Sequence, residues 1–241
     1  MAIAAGGFVG GQVVSAVLLL GIAAANGHLA ELAALATKPV PPPWVVIGGL
    51  VGLWVGFVGA LVVASRSSGT GKVARDMGLR FRWVDALVGP AVGVAGQLVL
   101  LPLLYLPLAP FVPNLSKRLS APAEHLTGGF KGGDLAVIAV LTVLVVPVIE
   151  ELVFRGLFLR GALRAFAGAG RRTGPVLAVV VTGVVFALAH FEALQLLGLG
   201  AFGVVLSYIA YRTGRLGTCI VAHGTFNLVA VVAVATTGGL R

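Results

Sequence analysis

The sequence predicts an all-α fold, a polytopic transmembrane helix bundle of about seven or eight spans, and three observations predict it. The 241 residues are 59% hydrophobic and only 10% charged, with a mean hydropathy of +1.06, whereas soluble domains carry about 25% charged residues. Several apolar windows are long enough to cross roughly 30 Å of hydrocarbon as helices. None of them alternates apolar and polar residues every second position, as barrel strands do. So few charges cannot cover the surface of a soluble chain of this length.

The windows, in order, are 8–26, 44–64, 84–109, 135–154, 174–190, 193–211 and 217–237. The first has no basic residue before it and no small-residue cleavage site closing a short apolar core, so it reads as a retained helix rather than a signal peptide. Trp44, Trp83 and Tyr211 fall at span ends, where amphipathic rings prefer to lie. A single cysteine, Cys219, excludes an internal disulfide and a cysteine-rich metal site. The chain divides by content into residues 1–130, which contribute spans and a basic loop but no motif, and residues 131–241, which carry the motifs.

The net charge of +9 follows topology, so no nucleic-acid partner is expected. Arg66, Lys72, Arg75, Arg80 and Arg82 occupy the connection 65–83. Arg155, Arg160, Arg164, Arg171 and Arg172 occupy 155–173, and Arg212 and Arg215 occupy 212–216. The alternate side holds Lys38, Lys117, Arg118, Lys131 and Arg241. The positive-inside rule then predicts a multi-pass cell-membrane protein with a cytoplasmic N-terminus and membrane lipid as the partner of the basic face.

Against this background the stretch PVIEELVFRG, residues 147–156, stands out. A charge at the bilayer centre costs roughly 2.5–3.5 kcal/mol on insertion scales, and chains retain it when it is paired, faces a wet cavity or does chemistry. Glu151 and Arg155 are four residues apart with the acid N-terminal, the favourable order for a helical ion pair. Glu150 lies about 100° away around the helix and has no such partner. The pair therefore reads as a brace and Glu150 as a free base, unless all three are a helix end snorkelling to water.

His28 and His125 fall in connections on the side opposite the basic loops. His190 follows Phe186 by one turn at the end of one span, and His223 precedes Asn227 by one turn in the last. One glutamate, two imidazoles and an amide on three helices form a polar site of the kind that bundles build from inward-facing groups. The set suits peptide hydrolysis by water, with glutamate and imidazole moving the proton and imidazole or amide meeting an oxyanion. No serine sits in a G-x-S-x-G context, Ser207 being the only serine in the later spans, and H-E-x-x-H is absent.

Glu150-Glu151-x-x-x-Arg155, Phe186-x-x-x-His190 and His223-x-x-x-Asn227, with YRTGRL at 211–216 before the last of them, resemble the signature motifs of the CPBP family. That family comprises intramembrane proteases such as type II CAAX prenyl proteases, bacteriocin-processing and immunity proteins, and proteins like lysostaphin resistance protein A. The resemblance covers about residues 135–235 and implies a catalytic core in the later helices acting on a peptide or membrane-protein substrate. It implies that Glu150 activates water with help from His190, that His223 and Asn227 stabilise the oxyanion, and that Glu151 and Arg155 hold the site together. Glu150, His190 and His223 are also a candidate zinc ligand set with water as the fourth ligand, while a metal-free glutamate mechanism suits the same residues. A membrane adaptor or immunity protein of the same fold, and a transporter, are the alternatives from other functional classes.

The span boundaries set one conflict. At about 1.5 Å per residue, Glu150 and His223 reach similar depths near the cytoplasmic side, while His190, counted from Gly174, lies about 16 Å too high. If the motifs belong together, the helix bearing His190 starts before the membrane at Pro175. The turn at 191–193 then lies at mid-depth with Glu192 towards a polar cavity, and the site opens to the cytoplasm.

Overall fold

A computed structural model describes residues 1–37, 41–127, 130 and 132–238. Lys38, Lys131 and Arg241, counted above as connection charges, lie outside the described residues. Those described form helices and turns with no strand among them. The principal helices are α1 (Ala2–Ala25), α2 (Pro43–Ser68), α3 (Asp85–Leu108), α4 (Leu115–Thr127), α5 (Gly133–Ala165), α6 (Thr173–Leu188), α7 (Ala193–Thr213) and α8 (Gly217–Gly238). Six of them are long and apolar enough to cross a membrane, and α6 is a shorter apolar helix of 16 residues. The molecule is a multi-pass membrane protein.

Lipid tails are as apolar as leucine, so helices in a bilayer associate through close backbone approach rather than through hydrophobic exclusion. Small residues mark every principal seam. On α1, Gly7, Gly11 and Ser15 recur every fourth residue, as do Gly48, Gly52, Gly56 and Ala60 on α2. A Cβ on Gly56 would stand 2.3 Å from the backbone nitrogen of Gly11, and one on Gly52 2.4 Å from Cα of Ser15. Contacts that climb α1 while descending α2 make the pair antiparallel. Val9, Val13, Val17, Val51, Val55 and Val58 face outward.

In the same way Gly183 of α6 meets Val204 of α7, and Gly203 meets Gly183. Gly89, Gly93 and Gly96 of α3 meet Val221, Ala222, Thr225 and Phe226 of α8 in parallel. The parallel pair is tied where both helices begin. Asp85, 1% exposed, accepts hydrogen bonds from the Arg82 N–H, the Thr218 hydroxyl and the Arg215 guanidinium. Leu216 and Gly217 donate to the carbonyls of Gly78 and Arg80. Gly217 has no side chain because Asp85 fills that space.

Helix α5 runs through the middle. Val153 and Leu157 pack with Ala4, Phe57, Ala60, Leu61, Ala64 and Met77 on one side. Leu159 and Ala162 join Val179, Phe202, Leu206 and Leu216 on the other.

Two expectations need correction. The span expected at 135–154 continues to Ala165, so Arg155, Arg160 and Arg164 belong to a helix and not to a connection. Arg155 is 1% exposed, because its charge is matched inside the bundle. The stretch expected as a loop after α3 contains α4, which starts after Asn114 in a left-handed conformation and includes His125. Gln195, in the first turn of α7, donates to the Leu119 carbonyl of α4 at 2.9 Å.

Candidate active site

The site begins with a break in α5. Pro147 has no N–H and its ring crowds the preceding turn. The helix widens ahead of it into a π-turn over Leu141–Val145, in which the Val146 N–H bonds to Leu141 O five residues back. A short α-helical segment, Val146–Glu151, then carries both carboxylates, and a second π segment, Leu152–Phe158, carries Arg155. Such widened turns inside helices occur frequently at functional sites.

Glu151 and Arg155 make the expected pair, with Arg155 Nη1 2.7 Å from Glu151 Oε1 and neither side chain exposed. The pair is deeper than a helix-end brace. Arg155 Nη2 donates to the Gly203 carbonyl at 3.0 Å, and Nε donates to Ser207 Oγ at 3.3 Å. Ser207 in turn donates to Gly203 O at 2.7 Å. The guanidinium also lies 4.4 Å from the ring centroid of Phe186, a favourable cation–π placement. It thereby joins α5, α6 and α7. Snorkelling to water is excluded for this pair by its burial.

The second connection of Glu151 reaches α8, where His223 Nδ1 lies 2.9 Å from Glu151 Oε1. A carboxylate accepts, so Nδ1 carries a proton, and in the neutral ring Nε2 then keeps its lone pair. His190 is oriented similarly by a different acceptor. Its Nδ1 lies 2.8 Å from the Phe186 carbonyl, which again assigns the proton to Nδ1 and the lone pair to Nε2. Phe186 supports both rings edge-on, with centroids 4.7 Å from His190 and 5.6 Å from His223.

Both Nε2 atoms converge on Glu150. Its Oε2 stands 4.0 Å from His190 Nε2 and 3.9 Å from His223 Nε2, and is buried without a hydrogen-bond partner. The side chains of His190 and Glu150 are 30% and 17% exposed, against 5% for His223, so the cluster opens on the α6 side. The depth conflict resolves in favour of convergence. Helix α6 ends at Leu188 after 16 residues, about 24 Å at 1.5 Å per residue, which is less than a full hydrocarbon core. Phe191 then turns the chain with a φ of +54°, rare for a bulky residue, and leaves Glu192 exposed.

Three acceptors around one point invite a cation or a proton-bearing molecule. Tetrahedral zinc ligands, bound at about 2.0–2.1 Å, stand about 3.3 Å from one another. The separations of 3.9 and 4.0 Å are wider than that spacing. A water with hydrogen bonds of about 2.8 Å bridges such atoms at an angle of about 90°. Among the described residues no group of three or more His, Cys, Asp or Glu side chains is arranged to hold a metal ion.

Asn227 is placed differently from the other motif residues. Its Nδ2 donates to the Thr142 carbonyl of α5 at 2.9 Å, so one of its two N–H groups is already used. Sequence reasoning missed Ser207 and Gly203 as partners of Arg155. In the sequence Ser207 stands out only as a candidate nucleophile, and the small-residue spacing of α7 is the signal for its packing role. His28 stacks near Trp44 and pairs with Glu31 at 3.4 Å, apart from the cluster.

Comparison with known proteins gives one match. Residues 132–229 match the family described as type II CAAX prenyl endopeptidase Rce1-like, so the likeness lies in the part of the chain that carries Glu150, His190 and His223. No curated protein and no solved structure matches the chain.

Proposed function

We propose that this chain hydrolyses peptide bonds within the membrane by a glutamate-dependent, metal-free mechanism, as a CAAX-type or peptide-processing endopeptidase. The observation that carries the proposal is the convergence of Glu150 Oε2 with two Nε2 lone pairs at 3.9 and 4.0 Å. Water between these atoms donates a proton to Glu150 while its oxygen attacks the scissile carbonyl carbon. The proton passes to an imidazole Nε2, only one water-length away, and the resulting N–H faces the oxyanion and then the leaving amine. Collapse of the tetrahedral intermediate breaks the C–N bond, and the amine departs with that proton. Glu151 keeps His223 in the tautomer this requires, as a carboxylate behind a catalytic imidazole does. Arg155 holds Glu151 in place through its hydrogen bond to Oε1.

Access from the α6 side brings a substrate past Phe191 and Phe8, whose rings lie 6.0 Å apart. That apolar rim suits a membrane-embedded segment or a lipidated peptide. The end of the bundle bearing Arg66, Lys72, Arg75, Arg80 and Arg82 is assigned to the cytoplasm on the positive-inside rule.

The test is Glu150→Gln in proteoliposomes, presented with a mixture of prenylated CAAX peptides and unmodified transmembrane peptides and read by mass spectrometry. Positioned acid–base groups contribute about 10²- to 10⁴-fold, so a loss of that order is expected with the folded protein intact. Full activity in Glu150→Gln would remove Glu150 from the mechanism. No cleavage of any peptide by the unaltered protein would favour the non-catalytic adaptor.

A further inference from the structure

The contact between Asn227 and α5 answers a deficit that Pro147 creates. In an α-helix the Thr142 carbonyl would take the N–H of Val146, but that N–H is bonded to Leu141 O. In the wider register it would take the N–H of residue 147, and proline has none. Neither intrahelical donor exists. Asn227 Nδ2, 85 residues away in the chain, fills the vacancy at 2.9 Å. The Val143 carbonyl, whose α-helical donor is also residue 147, approaches α8 at Gly224, where a Cβ would stand 2.6 Å from it. Gly224 adjoins His223, and Glu150 follows Pro147 by three residues, about 4.5 Å of helix.

We propose that Asn227 is a positioning residue. It supplies the N–H that Pro147 lacks and so sets the register at which α5 presents Glu150 to His190 and His223. This rests on the peptidase reading for its effect on turnover but not for its effect on the site. A direct oxyanion donor would act through its N–H on the substrate and be indifferent to residue 147. A register-setting donor becomes dispensable once residue 147 can donate to Thr142 itself. The two roles therefore differ in their response to Pro147→Ala.

The experiment compares Asn227→Ala, Pro147→Ala and the double variant in nanodiscs. A misplacement near 1 Å is worth about 10²-fold, so Asn227→Ala should lower kcat about a hundredfold with KM changed less than about threefold, and Pro147→Ala should restore at least tenfold of it. In parallel, the imidazole ¹⁵N resonances are recorded at one fixed pH with labelled histidine. The resonances of His190 and His223 should move in Asn227→Ala and return in the double variant, because the distance to Glu150 changes and is recovered. Independent losses in the two single variants, with no rescue and unmoved resonances, would overturn the proposal and leave direct oxyanion donation. If the unaltered protein cleaves nothing, the peptidase reading fails while the resonances still decide this one. Should Asn227→Ala not fold, Asn227→Asp replaces it. If neither folds, recovery of monodisperse protein on adding Pro147→Ala supports the proposal, and failure to recover overturns it.

Discussion

Arg155→Ala tests whether the buried brace holds the bundle together. The substitution strands Glu151, whose side chain has no exposure, leaving only His223 as a partner. It also removes the donors to Gly203 and Ser207 and the charge over Phe186. Removing one partner of a buried ion pair destabilises by about 3–5 kcal/mol, because the remaining charge stays uncompensated. For a chain of this size each kcal/mol moves Tm by about 2–4 °C, so a fall of about 6–20 °C is expected. Thermal unfolding in detergent, followed by size-exclusion fluorescence, reads it. The charge-free variant Glu151→Gln with Arg155→Met should recover at least half of the loss, since buried pairs are commonly replaceable when both charges leave together. A Tm for Arg155→Ala within about 2 °C of the unaltered protein would refute the reasoning, as would no recovery in the double variant. Glu150→Gln makes the contrast, because Glu150 Oε2 has no hydrogen-bond partner to lose, so stability should hold while turnover falls.

Other outcomes follow from the packing and charges. Gly56→Leu should lower folded yield and Tm, because its side chain would enter the backbone of Gly11. Gly59→Leu, with open space beyond its Cβ, should change neither. Incubation with a strong chelator should leave kcat unaltered, and loss of activity restored by zinc would overturn the water-bridged geometry. Asp76 is held below the usual 3.8 by hydrogen bonds from Ser65 and Thr70. A carboxylate depressed in the folded state adds stability that is present above its unfolded value and lost as pH falls through the folded one. Proteolysis of the connection 69–84 should therefore accelerate only below about pH 3.8, and Asp76→Asn should remove that dependence.

The sequence by itself determined the solvent, the helical class and the local pairs. Partition into hydrocarbon depends on composition over a window, so the spans of α1, α2, α3, α7 and α8 were legible to within several residues. The Glu151–Arg155 pair was legible because four residues on one helix are neighbours whatever surrounds them. The seam of Gly7, Gly11, Gly52 and Gly56 was written in small residues at fourfold spacing, and reading the N-terminal region as devoid of motif overlooked it. Only the tertiary structure decided that Arg155 is buried rather than part of a basic loop, since a long helix with two π segments looks like a span followed by a connection. Asp85 with Arg215 and Asn227 with Thr142 are separated by 130 and 85 residues, and no local period links them. The meeting of Glu150 with His190 and His223 depends on where α6 stops and how far a proline-induced turn rotates α5. Those quantities are set by how close neighbouring backbones approach, which no residue specifies without its partner across the interface.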